Sequence, residues 1–330
     1  MFWFHKLIST IGLLILGLLI LIVPRAEASC GSANCFLVTG TTEGIDTPGR
    51  LTLDLSYRWI PMDQVHRGSK SDDEARVPAI DFADGVIVPD AHQEVRTNNE
   101  LLQLDLGIGI TERFSGMISI PFFNLRTHEH AHVPGDFSRQ DGTSGFGDIR
   151  LIGKYALWVS TKHLLVGGLG IKTPSGEYKL LDHDGEINEP TIQPGTGAWD
   201  GIVSAYYAYQ VIPHELDAFL STSYQVTTEN PLDYKMGDTW LVNGGVSYRL
   251  TEKWTTSLQA NLRYAPHDEF KGEEVPSTGG TWIYLTPGIK TQASPNTALY
   301  AHIQFPLYQR VNDANIVPRY LLIVGVSHAF

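Results

Sequence analysis

Residues 50–59 read RLTLDLSYRW, and this stretch gives the clearest indication of the fold. Its odd positions are apolar and its even positions are polar, as in Leu53 and Leu55 against Asp54 and Arg58. Side chains of a β-strand alternate between two faces, so one face of this strand is apolar throughout and the other is polar. A strand with one face on lipid and the other on a wet interior is typical of a membrane β-barrel.

The same alternation recurs along the chain. It is clear at residues 101–110 and 257–264, and residues 319–330 form a last strand whose apolar face includes Leu322 and Phe330. Weaker versions run through residues 115–125, 146–157, 164–172, 199–210, 217–227, 240–250, 281–290 and 298–308. The pattern predicts an all-β fold, a transmembrane antiparallel β-barrel of twelve strands, in which the last strand closes against residues 50–59.

Connection lengths support this prediction. Short turns are expected at residues 111–113, 159–162, 212–214, 251–253 and 293–296. Long loops are expected at residues 61–98, 126–144, 174–196, 228–238, 267–279 and 309–318. Outer-membrane barrels place short turns in the periplasm and long loops outside, so both termini are expected to be periplasmic.

Aromatic residues fall where such a barrel would meet the lipid headgroups. Trp59, Trp199, Trp240 and Tyr320 lie at predicted outer strand ends, and Tyr209, Tyr248 and Phe330 lie at inner ends. Amphipathic rings prefer these two levels of a bilayer. A soluble β-sandwich would also bury one face of each strand, but it needs neither aromatic ends nor alternating loop lengths.

The first 28 residues predict an export signal. His5 and Lys6 precede an apolar run at residues 11–23, and residues 26–28 read AEA, a cleavage pattern. We expect the mature chain to begin at Ser29, with an uncleaved helical anchor as the alternative. Residues 29–48 would then form a periplasmic segment, and residues 49–330 the outer-membrane barrel.

The chain has two cysteines, Cys30 and Cys35, just after this cleavage site. In the oxidising periplasm they are expected to form a small disulfide loop.

The net charge of the chain and its expected place in the outer membrane limit the molecules that it can contact. The net charge is −12, which argues against binding to nucleic acid. We expect contacts with the lipid bilayer and with lipopolysaccharide. The C-terminal strand would be recognised by the barrel-assembly machinery of the bacterial outer membrane.

Several predicted strands begin with related motifs. Residues 144–148 read SGFGD, residues 197–200 GAWD, residues 237–240 GDTW and residues 279–282 GGTW. With Phe330 and the export signal, the chain resembles the outer-membrane barrels of the phenol-degradation meta-pathway family over most of its mature length. The resemblance implies an uptake channel for small solutes, with aromatic compounds among the candidates, and it brings no catalytic residues. His328 departs from the apolar residue usual at that position.

The polar faces of the strands predict the lumen lining. The candidates are Arg50, Asp54, Arg58, Asp105, Asp148, Arg150, Lys154, Asp200, Arg249, Arg263 and His302, with Lys172, Asp217, Lys290 and Arg319 on the same face. Basic residues outnumber acidic ones, so the lumen would favour anions or polarised aromatic solutes. Alternatively, these charges pair across strands and fill a narrow barrel, and twelve strands fit an open pore and a plugged one equally.

A second candidate site is the stretch RTHEHAH at residues 126–132. If residues 101–110 and 116–125 pair with their lipid faces matched, paired residue numbers have an even sum, such as 110 opposite 116. This register gathers the ligand types that Zn²⁺ or Cu²⁺ prefers on one face. The candidate ligands are His92, Glu94, His128, His130 and His132. The alternative is a solvated polar loop.

The sequence offers no catalytic constellation. A G-x-S-x-G motif is absent, and neither His302 nor His328 has a Ser partner at a matching depth. We therefore expect a channel for passive uptake or efflux of a small solute, and not an enzyme. A metal-binding outer-membrane protein and a plugged structural barrel remain the alternative functions.

Overall fold

The structure, a computed structural model, describes residues 44–132, 136–138 and 141–330. The predicted signal segment and the predicted loop between Cys30 and Cys35 lie outside these residues. No helix within the described ranges is long and apolar enough to cross a membrane.

Twelve long antiparallel strands form a closed barrel, as the alternation predicts. They are β1 (Leu51–Arg67), β2 (Val86–Gly109), β3 (Phe114–His132), β4 (Arg150–Val159), β5 (His163–Lys172), β6 (Asp200–Ile212), β7 (Leu216–Val226), β8 (Thr239–Arg249), β9 (Trp254–Ala265), β10 (Gly280–Ser294), β11 (Thr297–Val311) and β12 (Leu321–Ala329). Each strand pairs with the next, and β12 pairs with β1 from Thr52 opposite Ala329 to Trp59 opposite Leu322. The barrel sheet therefore has no free edge, which is what a sheet in lipid requires.

Burial in this barrel is the reverse of burial in a soluble protein. Along β1 the polar side chains of Asp54, Ser56 and Arg58 are only 2%, 3% and 6% exposed, because they point into the barrel. Apolar side chains such as Leu169 and Leu220 are 72% and 54% exposed on the outer wall. An outer wall of this kind is stable only against lipid.

The connections divide the barrel into two ends. Five connections of two to four residues lie at one end, called the turn end, and they coincide with the five predicted turns. Residues at the two termini of the barrel, Leu51 and Ala329, also lie at the turn end. The long connections lie at the opposite end, called the loop end.

Several strands continue well beyond their predicted limits at the loop end. Residues 61–98 and 126–144 were expected to be loops, but β1 runs to Arg67, β2 begins at Val86 and β3 runs to His132. Apolar alternation stops where contact with lipid stops, whereas backbone pairing continues above the membrane. The alternation therefore underestimates the length of the strands.

Short strands complete the loop end. They are Lys70–Ser71, Arg76–Asp81, Asp136–Ser138, Thr143–Gly145, Tyr234–Lys235, Asp268–Phe270, Glu273–Val275 and Ala314–Pro318, and a 3-10 turn spans Pro190–Ile192. Ala314–Pro318 pairs with the part of β1 that lies at the loop end. An apolar cluster that includes Ile60, Leu101 and Trp282 packs in the interior. This part of the barrel is a packed core.

Candidate functional site

A cavity of about 240 Å³ lies inside the barrel. A second cavity, of about 460 Å³, is lined by the residues of the turn after β4, which places it toward the turn end. Tyr206, Tyr300 and His302 line both cavities, so these three side chains form a neck between them. The Tyr300 hydroxyl donates a hydrogen bond of 2.6 Å to Asp54, which fixes one side of the neck.

Most of the predicted lumen residues line the first cavity. Those found there are Asp54, Arg58, Asp105, Asp148, Arg150, Lys154, Asp200, Arg263 and His302. Arg50 and Arg249 do not line it. Arg50 donates a hydrogen bond to Asn296 at the turn end, and Arg249 is exposed.

The charges that line this cavity are balanced. Its wall carries five acidic side chains and five Lys or Arg side chains, of which only Asp268 was not among the residues predicted for the lumen face. Lys172 lies 2.7 Å from Asp148 and 3.1 Å from Asp200, and all three are nearly fully buried. The predicted excess of positive charge is therefore largely compensated at this depth.

The inner face of β3 holds a loop segment, residues 188–194, across the loop end of the cavity. Asn124 donates a hydrogen bond of 3.1 Å to the Pro194 carbonyl. Arg126, 1% exposed, donates bonds of 3.2 and 3.1 Å to the carbonyls of Ile192 and Gln193. Pro190 and Gln193 line the cavity, so this segment, called the cap, covers it.

The next inward-facing residues of β3, His128 and His130, belong to a second cluster, called the histidine site. His92, His128, His130 and Glu189 each offer one ligand atom, and these atoms all lie within 4.8 Å of one another. The three histidines are 3%, 2% and 7% exposed. Glu189 comes from the loop between β5 and β6 and directly precedes the 3-10 turn of the cap.

The predicted hairpin brings the histidines together. Glu94 pairs with His130 and His92 pairs with His132, so the even register is present at this level. Bulges at Leu102/Gln103 and Glu94/Arg96 change the register twice and restore it. Glu94 lies 3.4 Å from His92, beside the site, whereas the side chain of His132 is outside the described part of the chain.

Two neighbouring groups orient the imidazole rings. Thr97 Oγ1 and His128 Nδ1 share a hydrogen bond of 2.8 Å, which leaves Nε2 as the available ligand atom of His128. Asp141 Oδ2 lies 3.3 Å from His130 Nε2. Metal-binding histidines commonly have such a partner on the second ring nitrogen.

The charges around His92 and His130 shift the pKa values of these two residues in opposite directions. Burial acts to lower the pKa of His92, but the carboxylates of Glu189 and Glu94 outweigh it and raise this pKa to about 10. Burial, with repulsion from His92 and His128, lowers the pKa of His130 to about 4. Burial opposes ionisation of Glu189, yet attraction to His92 lowers its pKa. Without a metal, His92 and Glu189 therefore form an ion pair beside a neutral His130.

Glu189 and the two residues that orient the histidines, Asp141 and Thr97, were not predicted from the sequence. Glu189 and Asp141 lie between strands, where side-chain direction has no period. Glu189 falls in the predicted loop at residues 174–196 and Asp141 in the predicted loop at residues 126–144, and no motif in either loop indicated a position inside the barrel.

Comparisons with known proteins agree with this architecture. A family model described as "Putative MetA-pathway of phenol degradation" matches residues 83–313. An outer membrane channel from Pseudomonas putida F1 is similar over 89% of this chain and 100% of its own, at 13% identity and a TM-score of 0.61, which shows a shared fold.

Two further solved structures are similar at lower TM-scores. The transport unit of the autotransporter AIDA-I from Escherichia coli covers 90% of this chain and 95% of its own, at 10% identity and a TM-score of 0.49. The toluene transporter TodX of P. putida covers 86% and 90%, at 12% identity and a TM-score of 0.42. A comparison with curated proteins finds no match.

Proposed function

Because this chain belongs to the MetA-pathway of phenol degradation family and is a bacterial outer-membrane β-barrel, we propose that it is a channel through which a small solute crosses that membrane passively. The turn end, with both termini, would face the periplasm, since short turns lie on that side of outer-membrane barrels. The loop end and the cap would then face outward.

The observation that supports this proposal is the pair of adjoining cavities. They share Tyr206, Tyr300 and His302, so a solute in the first cavity is separated from the second by one layer of side chains. A purely structural barrel of this size could fill its interior completely. Rearrangement of the neck and of the cap would connect the two ends.

The lining favours a small aromatic solute that carries a polar or carboxylate group. Apolar side chains such as Ile202, Leu241 and Ile323 share the wall with paired charges. An aromatic ring would contact the apolar part, and Arg58 or Arg263 would contact its oxygen atoms. Since the charges are balanced, selection by net charge alone would be weak. Passive passage of such a solute needs no reactive side chain, in contrast to catalysis by an enzyme.

Export and insertion complete the proposal. The signal segment would be removed before Ser29, and Cys30 and Cys35 would form their disulfide in the periplasm. The barrel-assembly machinery would insert the chain among lipid and lipopolysaccharide through β12.

Planar-bilayer conductance and liposome swelling test the channel. The probes for swelling are 4-hydroxybenzoate and gluconate, an aromatic and a non-aromatic anion, both poorly permeable through lipid alone. We expect discrete conductance steps and faster swelling with 4-hydroxybenzoate. Ser204→Trp, which adds bulk inside the lumen, should reduce both signals. Val203→Trp, on the outer face of the same strand, is the matched control and should not.

The channel proposal is decided by comparing the conductance of the native protein with that of a variant whose cap is loosened. No conductance above lipid alone, in either the native protein or a variant with a loosened cap such as Arg126→Met, would identify a plugged structural barrel. Equal swelling with both anions would exclude preference for an aromatic solute while leaving the channel itself intact.

A further inference from the structure

We propose that His92, His128, His130 and Glu189 bind one Zn²⁺ ion, and that the bound ion fastens the cap across the mouth of the barrel. Metal binding stands on the geometry of these residues alone. Its effect on passage of solute rests on the proposed channel function.

The donor set fits Zn²⁺. Three imidazole nitrogens and one carboxylate oxygen give four ligands of the kinds that Zn²⁺ accepts in tetrahedral sites. Ligand atoms of such a site are about 3.4 Å apart, given metal–ligand distances of about 2.1 Å. The four atoms here already lie within 4.8 Å of one another, so small side-chain rotations would close the site. Mg²⁺ and Ca²⁺ prefer oxygen ligands and would bind poorly.

Buried polar atoms without hydrogen-bond partners, one in the cluster and one beside it, support the same conclusion. His128 Nε2 and Glu94 Oε2 are buried, and neither has a hydrogen-bond partner among the described residues. Burying such atoms without partners is costly, and native proteins rarely do so without an ion or water nearby. A metal would satisfy the nitrogen directly and would attract the negative charge of Glu94.

The ligands come from two separate parts of the chain. His92, His128 and His130 belong to the hairpin of β2 and β3, which is continuous with the barrel wall. Glu189 belongs to the cap. Its neighbours Pro190 and Thr191 line the lumen cavity, so an ion bound by all four residues would restrain the lumen wall itself.

Metal binding is tested on the full-length protein, purified without a histidine tag. Titration with Zn²⁺ should show one tight site, and Co²⁺ in its place should give the intense visible absorption of a tetrahedral complex. His130→Gln should abolish both signals. Thr97→Val removes the partner of His128 and should weaken binding roughly 10- to 100-fold. His214→Asn, in a turn at the other end of the barrel, is the control and should bind normally.

Fastening of the cap is tested by trypsin. Lys179 is the only Lys or Arg between residues 173 and 199, and it is exposed. Zn²⁺ should slow cleavage there in the native protein, and Glu189→Gln should eliminate this protection. Glu186→Gln, an exposed carboxylate in the same loop, should keep it.

Different results would contradict metal binding, fastening of the cap and channel function. If His130→Gln binds Zn²⁺ as tightly as the native protein, the proposed metal site is wrong. Binding and protection unchanged in Glu189→Gln would place the metal on the hairpin alone and overturn the fastening. In planar bilayers, Zn²⁺ should reduce the conductance of the native protein and not of Glu189→Gln. If protection is seen but no variant conducts, the channel proposal fails while the metal site stands.

Discussion

His92 Nε2 and Glu189 Oε1 lie 2.8 Å apart, and this contact joins the barrel wall to the segment that covers the lumen. His92 is on β2, whose lower part faces lipid, whereas Glu189 is in a loop that reaches the same place from between β5 and β6. The imidazole ring of His92 lies beside those of His130 and His128, with ring centroids 4.5 and 6.3 Å apart. The mouth of the barrel is therefore held by side chains of opposite charge from distant parts of the sequence.

Arg126 should hold the cap even without metal. Arg126→Met keeps most of the aliphatic bulk and removes the bonds to the carbonyls of Ile192 and Gln193. Hydrogen bonds to a charged group contribute about 1.5–3 kcal/mol each, so the cap should detach more often. We expect faster trypsin cleavage at Lys179 and a larger open fraction in single-channel recordings.

The control for Arg126 is Arg96→Met. Arg96 is half exposed and pairs with Glu129, so this ion pair should contribute about 0–1 kcal/mol. If the two variants are cleaved at the same rate, the cap is not held by Arg126.

Lys172 should stabilise the barrel at the level of the first cavity. Lys172→Met would leave Asp148 and Asp200 buried without their shared cation. Breaking a buried ion pair from one side costs about 3–5 kcal/mol, so the urea midpoint in detergent should fall. The reversal potential should also shift toward cation selectivity, because the cavity gains net negative charge.

A second substitution should restore part of the stability that Lys172→Met loses. Adding Asp200→Asn to Lys172→Met removes one of the two unpaired charges and should recover part of the lost stability. Lys235→Met, which breaks the partly exposed pair with Glu269, should change the midpoint little. Equal losses in Lys172→Met and Lys235→Met would mean that the buried cluster contributes no more than a surface pair.

The sequence predicted the barrel because lipid and lumen impose opposite preferences on alternate residues. Leu51, Leu53 and Leu55 had to lie on one wall, and Asp54 and Arg58 on the other. The same constraint explains the strand count and the closure of β12 on β1. It does not apply above the membrane, so the extension of β3 to His132 could not be predicted from alternation.

The histidine site was predictable only in part. His92, His130 and Glu94 follow from the register of one hairpin, and even two bulges left them on a common face. Glu189 could not be found in this way, because a loop residue has no strand partner that fixes its position. Its role depends on tertiary packing, in which Arg126 and Asn124 hold the neighbouring carbonyls.

The neck should narrow when a methyl group is added behind Tyr300. Gly325 lies opposite Tyr300 on the neighbouring strand, and a Cβ at Gly325 would overlap the tyrosine ring. In Gly325→Ala the ring must shift toward the lumen and strain its hydrogen bond to Asp54. We expect lower single-channel conductance and a loss of about 1–3 kcal/mol in stability.

Gly201→Ala provides the matched comparison. Gly201 is exposed on β6, and nothing lies within 4 Å of a Cβ added there. Conductance and stability should be unchanged. If Gly325→Ala behaves in the same way, the ring of Tyr300 does not restrict the passage between the two cavities.

The outer wall should tolerate charge only near its edges. Leu220 lies in the middle of β7 and Val226 at its loop end, and both are exposed on the lipid-facing side. Arginine at the bilayer midplane costs about 2–4 kcal/mol, whereas near the interface the cost is about 0–1 kcal/mol, because the long side chain reaches the headgroups. Leu220→Arg should therefore fold much less efficiently into liposomes than Val226→Arg. The folded fraction can be measured by the difference in electrophoretic migration between unheated and boiled samples. Equal folding of the two variants would contradict the placement of β7 across the membrane, because that placement makes the cost of an arginine depend on its depth.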